Sequence, residues 1–417
     1  MTELSKNPDI PLVSGQRTPN RRSTGTHNAP RAVLTGHLGP RGVMQLGWLR
    51  DLGARVHKRK VIQLTEDKAT DVSFHIPRDI SCHGPDMVLK KSSGPDKKMQ
   101  KVWFYEEYGP KEVLSFGDFP IPTPTKNQLL VQVHAAALNP IDFKLRNMPL
   151  APLDFPVVPG CDMSGIVVEK HDQASRFKVG DHVYGNIQDF KAKGKLKQLG
   201  SLAQFVAVAE DMVAEKPKNV SFEEAASLPL AVQTVVEAFK TGGFQEGESV
   251  FIVGGAGGVG SMAVQLAKHV YRACLVGAST SGGKVNFVKA LGADKVMDYT
   301  HTHYGEIEDK YDLVIDTVGD SKNSYVVGKE TAPIVDITWP PSNPRAIHSS
   351  LTVSGEILDK LNPFLESGKV KAVIDPKGPY HLCDVFKAFE HLETGRAKGK
   401  VVIFPFTPET YSLQHVI

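Results

Sequence analysis

One stretch limits the possible folds of this chain more than any other: Glu248-Ser-Val-Phe-Ile-Val-Gly-Gly-Ala-Gly-Gly-Val-Gly-Ser-Met-Ala-Val-Gln-Leu-Ala-Lys-His269. Its apolar run, Val250 to Val253, has the length and β-branched content of a buried parallel strand. Gly255-x-Gly257-x-x-Gly260 follows, and then Val259, Met262, Ala263, Leu266, Ala267 and Val270 recur at helical spacing. Strand, glycine turn and helix in that order are what a dinucleotide pyrophosphate requires. Backbone without side chains can approach the phosphates, and the free N–H groups of the helix N-terminus face the negative charge. A bare G-x-G-x-x-G also occurs in plain flexible turns, so the flanking strand and helix carry the argument for a nucleotide site built on Gly255, Gly257, Gly258, Val259 and Gly260.

A chain of 417 residues has room for two or three domains. The formal charge of +3 is unevenly spread: residues 1–100 hold 17 Lys and Arg against 9 Asp and Glu, and the remainder holds 32 against 37. The basic character thus belongs to the N-terminal extension. No basic-aromatic stripe points to nucleic acid. Cys82, Cys161, Cys274 and Cys383 are widely separated with no C-x-x-C pair, which argues against a zinc lobe or a disulfide scaffold and for a reducing compartment. The charge-free run from Ser249 to Ala267 reads as buried strand and turn, so no transmembrane segment is expected.

Residues 1–98 read poorly as a fold. Between Asp9 and Asp51 there is no acidic residue but there are six arginines, a pattern similar to an organelle transit segment. Glu3 and Asp9 run against that pattern, and a disordered extension or a mis-assigned start stays open, with chloroplast stroma or cytoplasm as the compartment.

From Lys101 the chain is β-rich. Strands are expected at Val102–Tyr105, Val113–Phe116, Gln128–Leu138, 179–185 and 200–208, with 157–168 a loop feeding another strand, spaced by Gly and Pro turns as in a small barrel-like β domain. Asn139 to Arg146 reads as a polar turn entering a short helix. Phe222 to Phe239 is apolar and helical, broken by Pro229. Six strands, Ser249–Val253, Ala273–Ala278, Lys295–Tyr299, Tyr311–Asp316, Pro333–Thr338 and Leu351–Ser354, then alternate with helices such as Lys284–Leu291 and Glu356–Glu366. This pattern implies a parallel doubly wound sheet. The tail has strands at Lys371–Ile374 and Lys400–Phe404 with a helix at Cys383–Leu392, and is expected to pack back on the first domain. The organisation is therefore an extension at 1–98, a β domain at 99–228 with 371–417, and a nucleotide domain at 229–370.

About 20 positions past Gly260 an NAD-preferring site places an acid against the ribose hydroxyls. Here the second strand ends in Ser279-Thr280-Ser281-Gly-Gly-Lys284, with three hydroxyls, a lysine and no carboxylate. A 2′-phosphate needs donors and positive charge, so NADPH is favoured over NADH; an ordinary polar strand-to-helix loop is the alternative.

Leu138-Asn-Pro-Ile-Asp142, Pro159-Gly-Cys-Asp162, Gly180-Asp-His-Val-Tyr-Gly185, Ala225-Ala-Ser-Leu-Pro229, Gly255-Ala-Gly-Gly-Val-Gly260, Leu291-Gly-Ala-Asp294 and Gly399-Lys-Val-Val402 occur in this order. Together, over roughly residues 99–406, they resemble the zinc-independent quinone oxidoreductase branch of the medium-chain dehydrogenase/reductase superfamily, and within it the plant alkenal/one oxidoreductase and 2-methylene-furan-3-one reductase group. The resemblance implies a GroES-like β-barrel domain packed on a Rossmann domain, and NADPH-dependent reduction of the C=C bond of an α,β-unsaturated carbonyl. A quinone substrate, or a silent NADPH-binding homologue with a structural role, stands beside that reading, as does either a monomer or a homodimer. The match carries cofactor roles onto Lys144, Gly258, Val259, Ser279, Thr280, Lys284, Tyr299, Ile337, Ser349, Ser350, Leu351, Gly395 and Arg396. Tyr299 is placed near the adenosine end, and Arg396 with 349–351 near the nicotinamide end.

Asn139 and Lys144 leave a buried strand at a turn facing the expected cleft, where either could donate to an oxygen as enolate charge develops. A capped turn for Asn139 and Asp142, and a surface lysine for Lys144, are the plainer readings. Zinc members of the superfamily carry Cys at the position of Asn139 and His at that of Cys161, so no metal is expected here. Gly282-Gly283 lengthens the phosphate loop, and Asp336-Ile-Thr-Trp-Pro-Pro341 departs from the group's pattern near the nicotinamide pocket.

Overall fold

The computed structural model describes residues 98–150, 153–173, 175–188 and 199–406, all within one compact unit. Residues 1–97, with Cys82, and the tail from 407 lie outside the described residues.

The first part of the chain is antiparallel. A hairpin joins β1 (Met99–Phe104) to β2 (Ser115–Pro120), whose start falls later than the sequence suggests because Lys111–Val113 coils into a 3₁₀ turn. The long strand β3 (Gln128–Leu138) is the hub of a second sheet, paired with β4 (Asp162–Lys170) and β6 (Phe205–Ala209). That sheet continues through β5 (His182–Asn186) to β7 (Val213–Glu215). Between β3 and β4 runs α1 (Pro140–Asn147). Val102, Leu129, Val131, Met163 and Val206 pack inside as one buried cluster.

Pro229 does break the following helix. It lacks the N–H that an interior position needs, so the chain forms α2 (Phe222–Ala226) and then α3 (Pro229–Thr241), with the proline in the first turn where no donor is missed. Ser221 and Glu224 cap α2 reciprocally, Glu224 N donating to Ser221 Oγ at 3.2 Å and Ser221 N to Glu224 Oε2 at 2.9 Å.

The parallel sheet is centred on β8 (Ser249–Val253), which leads into α4 (Gly258–His269). It is completed by β9 (Leu275–Thr280), α5 (Val285–Ala290), β10 (Lys295–Asp298), β11 (Leu313–Asp316), α6 (Ser321–Ser324), β12 (Ile334–Asp336), β13 (Ile347–His348) and α7 (Gly355–Glu366). The strand order is β10-β9-β8-β11-β12-β13, every pair parallel, which is the doubly wound dinucleotide-binding order. Strand β8 is buried on both faces: Val250 and Ile252 pack toward α3 and α4, while Phe251 and Val253 join Val314 and Ile334 in a separate cluster. Each such side chain contributes about 1.5–3 kcal/mol.

Two expected strands are corrected. The sixth is Ile347–His348, not Leu351–Ser354: its neighbour β12 is only three residues long, so 351–354 has run past the sheet edge and leads into α7. Lys371–Ile374 makes a single bridge, Ile374 to Lys400, and the Lys371 backbone pairs with a side chain instead of a strand: its N–H donates to Gln265 Oε1 at 2.8 Å and its carbonyl accepts from Gln265 Nε2 at 3.0 Å. The last strand, β14 (Val401–Ile403), follows α8 (Val385–Glu393) and pairs antiparallel with β3, so the tail does return to the first sheet. Among the described residues no helix is long and apolar enough to cross a membrane.

Candidate cofactor and active site

All six parallel strands end at one edge, and the turn after β8 sits at its centre. Gly254 takes φ +79°, its N–H donates to Ser279 Oγ at 3.2 Å, and Gly255 N donates to the Ser279 carbonyl at 2.9 Å. The turn is thereby pinned to the tip of β9. Two of its glycines are demanded by space: a Cβ at Gly260 would overlap the Gly254 carbonyl, and one at Gly255 would meet the Ala278 methyl at 2.9 Å. At Gly257 nothing lies nearer than 3.6 Å, so the fold itself tolerates a side chain there and the open space faces the cavity. Gly258, Val259 and Gly260 form the first turn of α4, whose leading N–H groups have no partner within the helix.

Over this turn opens a cavity of about 870 Å³. Among the expected cofactor residues, Gly257, Ser279, Thr280, Ser281, Lys284, Tyr299 and Gly395 line it. Ile337 and Ser349 lie just past β12 and β13 at the same sheet edge, Ile337 N on the Asp316 carbonyl at 3.0 Å and Ser349 N on the Asp336 carbonyl at 3.3 Å. Ser350 and Leu351 follow, and Arg396 is exposed beside Gly395, but none of these five lines the cavity. Lys284 reaches across from the β9–α5 loop, Nζ donating to the Arg396 and Ala397 carbonyls at 2.8 and 3.3 Å, and burial lowers its pKa. The lengthened loop has a physical reason for its first glycine: a Cβ at Gly282 would press on the Asp298 carboxylate. Asp298 accepts from Thr300 N at 3.0 Å and Thr300 Oγ1 at 2.6 Å, and does not line the cavity. Thr302, Tyr304, Val318, Asp320 and Tyr325 also line the cavity. They sit in loops or at the start of single 3₁₀ turns (Tyr304–Glu306 and Tyr325–Val327), where no periodicity flags a residue as facing a ligand.

The residues near the turn after β3 are arranged differently from the expectation. Asn139 is 2 % exposed and caps α1, its N–H donating to Asp142 Oδ2 at 2.7 Å. Its side-chain amide donates to Asp162 Oδ2 at 2.9 Å, and its oxygen accepts from Lys400 Nζ, which also donates to Asp162 Oδ2 at 2.9 Å. Asn139 thus has no free donor to offer a substrate, and the capped-turn reading is the one its geometry favours. Lys144, one helical turn further, is half-buried and makes no side-chain hydrogen bond or ion pair among the described residues. It does not line the cavity.

A catalytic zinc would need ligands here, and the residues do not fit one. The Cys161 thiol donates to Asp142 Oδ1 at 3.3 Å and burial pushes its pKa well up, while an ammonium already occupies the space between Asn139 and Asp162. The nucleotide, by contrast, fits: the glycine cradle and a β9 tip ending in hydroxyls match a phosphorylated dinucleotide. Lys400 was legible only as a lysine entering an apolar strand; its partners lie far away in sequence.

The profile described as the alcohol dehydrogenase GroES-like domain matches residues 125–218, and that of the zinc-binding dehydrogenase matches residues 291–403. The chain is 48 % identical over 308 residues to 2-methylene-furan-3-one reductase of Solanum lycopersicum, covering 73 % of this chain and 79 % of the relative. It is 43 % identical over 311 residues to the NADPH-dependent alkenal/one oxidoreductase, chloroplastic, of Arabidopsis thaliana, covering 74 % and 80 %. The solved quinone oxidoreductase of Coxiella burnetii superposes with a TM-score of 0.65 at 32 % identity, covering 74 % of this chain and 99 % of that one.

Proposed function

The chain belongs to the quinone and alkenal oxidoreductase branch of the medium-chain dehydrogenase/reductase superfamily, and from that membership we propose that it reduces the C=C bond of α,β-unsaturated carbonyls with NADPH. The observation that carries the cofactor half is the cavity over the glycine turn, whose β9 tip presents Ser279, Thr280 and Ser281 with no carboxylate. The relatives named for alkenals and a methylene-furanone support the substrate half.

When bound, the nicotinamide would supply a hydride to the β-carbon of the activated alkene, and a proton from solvent or a side chain would complete the saturated carbonyl at the α-carbon. The chain holds the pyrophosphate on the N-terminus of α4, where unpaired N–H groups offset its charge. Ser281 and Thr280, which line the cavity, would donate to the adenosine 2′-phosphate, Lys284 would supply nearby positive charge, and Tyr299 would close the adenosine end. Ile337, Ser349, Ser350, Leu351 and Arg396 are assigned to the nicotinamide end. Lys144 is assigned the task of donating to oxygen as charge develops on the enolate; its unpaired side chain supports that role over Asn139. In this reading the catalytic unit comprises 99–228 with 371–417, built on the antiparallel sheet, and the cofactor unit comprises 229–370, built on the parallel one.

NADPH oxidation at 340 nm with methyl vinyl ketone and a reactive 2-alkenal tests the proposal. Turnover with NADPH and little with NADH is expected; binding of NADPH without turnover of any enone would overturn it. Activity with quinones alone would favour the other substrate class, for which the Coxiella burnetii oxidoreductase is named. A plastid location is the further part of this reading, supported by the name of the Arabidopsis relative, and import of the full chain into isolated chloroplasts tests it.

A further inference from the structure

We propose that Lys400 is a positioning residue for the dinucleotide turn, acting through its buried contacts with Asp162 and Asn139. The inference rests on the cofactor reading above and assigns to it a residue outside the cavity.

Lys400 is 5 % exposed, and its ammonium lies between the Asn139 amide oxygen and Asp162 Oδ2. From that point three helix starts are held. Asn139 is the N-cap of α1. The second oxygen of Asp162 accepts from Leu230 N at 2.8 Å, in the first turn of α3. The aliphatic stem of Lys400 lies under the first residue of α4, its Cδ 2.9 Å from where a Cβ on Gly258 would stand. Beside it, Gly399 N donates to the Ala256 carbonyl at 2.9 Å and Gly399 bridges Gly257. The segment 399–400 therefore fixes the turn that receives the pyrophosphate relative to the antiparallel sheet. A buried charge with buried partners is stiff, because each alternative position leaves a charge or an amide unpaired in low dielectric. Bound phosphates require the turn's N–H groups to keep their aim to within a fraction of an ångström.

The pyrophosphate is common to NADPH and NADH, so loss of this clamp weakens both by the same factor. Loss of Lys284, beside the 2′-phosphate, weakens NADPH alone. Dissociation constants for both coenzymes, from nicotinamide fluorescence titration of the full chain, distinguish the two. In Lys400→Met the stem is kept and the ammonium removed; both constants are expected to rise about tenfold or more. The double variant Asp162→Asn with Lys400→Met removes the charge pair together and is expected to recover the melting temperature but not the affinity. Lys284→Ala is expected to raise the NADPH constant selectively. Unchanged constants in Lys400→Met, or affinity recovered along with stability in the double variant, would overturn the positioning role. Failure of the wild-type chain to bind either coenzyme would overturn the cofactor reading instead.

Discussion

Asp162 and Lys400 meet at 2.9 Å across 238 positions of sequence, both almost wholly withdrawn from solvent. Asp162 begins β4 and Lys400 immediately precedes β14, strands that flank β3 on opposite sides. The ion pair therefore crosses over the end of β3 and ties both of its neighbours to the residue that follows it, Asn139.

Breaking that pair from one side leaves a charge buried without compensation. Lys400→Met is expected to lose about 3–5 kcal/mol of unfolding free energy, and Asp162→Asn with Lys400→Met to recover most of it. Urea denaturation followed by tryptophan fluorescence measures both. A single variant as stable as the wild type would mean that the Asp162 carboxylate finds another partner.

Gly257 and Gly260 separate the needs of the fold from those of the ligand. A methyl at Gly260 overlaps the Gly254 carbonyl, so Gly260→Ala is expected to cost about 1–3 kcal/mol through forced backbone movement and to abolish NADPH binding. A methyl at Gly257 meets nothing closer than 3.6 Å, and Gly257 already has a negative φ of −76°. Gly257→Ala should leave the melting temperature nearly unchanged while weakening NADPH, because its methyl projects into the space assigned to the phosphates. Equal effects on melting and binding in both variants would contradict this division.

These glycines show what was legible in the sequence. Strand β8, the turn and α4 are contiguous, so period and composition sufficed to place them, and β3 was read to its terminal residues, Gln128 and Leu138. Contacts closed by distant residues were not legible. Nothing local marks Lys400 as the partner of Asn139, and the polar turn Asn139–Asp142 reads equally well as a cap or as a donor until its partners are seen. The edge of the sheet was misplaced for a related reason. Leu351–Ser354 has strand composition, but a strand exists only where a neighbour supplies a ladder, and β12 ends too soon.

Asp316 predicts a pH dependence. It ends β11, accepts from Val318 N at 2.8 Å and Gly319 N at 2.9 Å, and its other oxygen is buried with no partner among the described residues. Burial pushes its pKa from 3.8 up to about 6. The folded state thus holds this proton more tightly than the unfolded state. The resulting stability is fully present below about pH 4 and is lost as pH rises through about 6. Asp316→Asn keeps the acceptor for the two N–H groups and removes the titration. From pH 4 to 7 the variant should gain on the wild type by on the order of 3 kcal/mol, read from denaturation midpoints at each pH. A constant difference between the two would show that Asp316 stays ionised throughout.

If the loop after β9 receives the 2′-phosphate as proposed, Ser281 is the position at which an acid should shift the cofactor preference. Ser281 lines the cavity; Asp298, beside Gly282, is held by Thr300 and does not line it, and the carboxylate that does, Asp320, belongs to the segment between β11 and α6. Lys284 is anchored on two backbone carbonyls, so it is not free to neutralise a new acid at full strength. In Ser281→Asp the carboxylate repels a 2′-phosphate and accepts from the ribose hydroxyls of NADH. The ratio of kcat/KM for NADPH over NADH is expected to fall by about tenfold or more, part of it through a gain with NADH. Steady-state rates with methyl vinyl ketone measure the ratio. If it does not move, the phosphate lies away from Ser281, and the next cation along the cavity wall, Lys322, becomes the residue to replace.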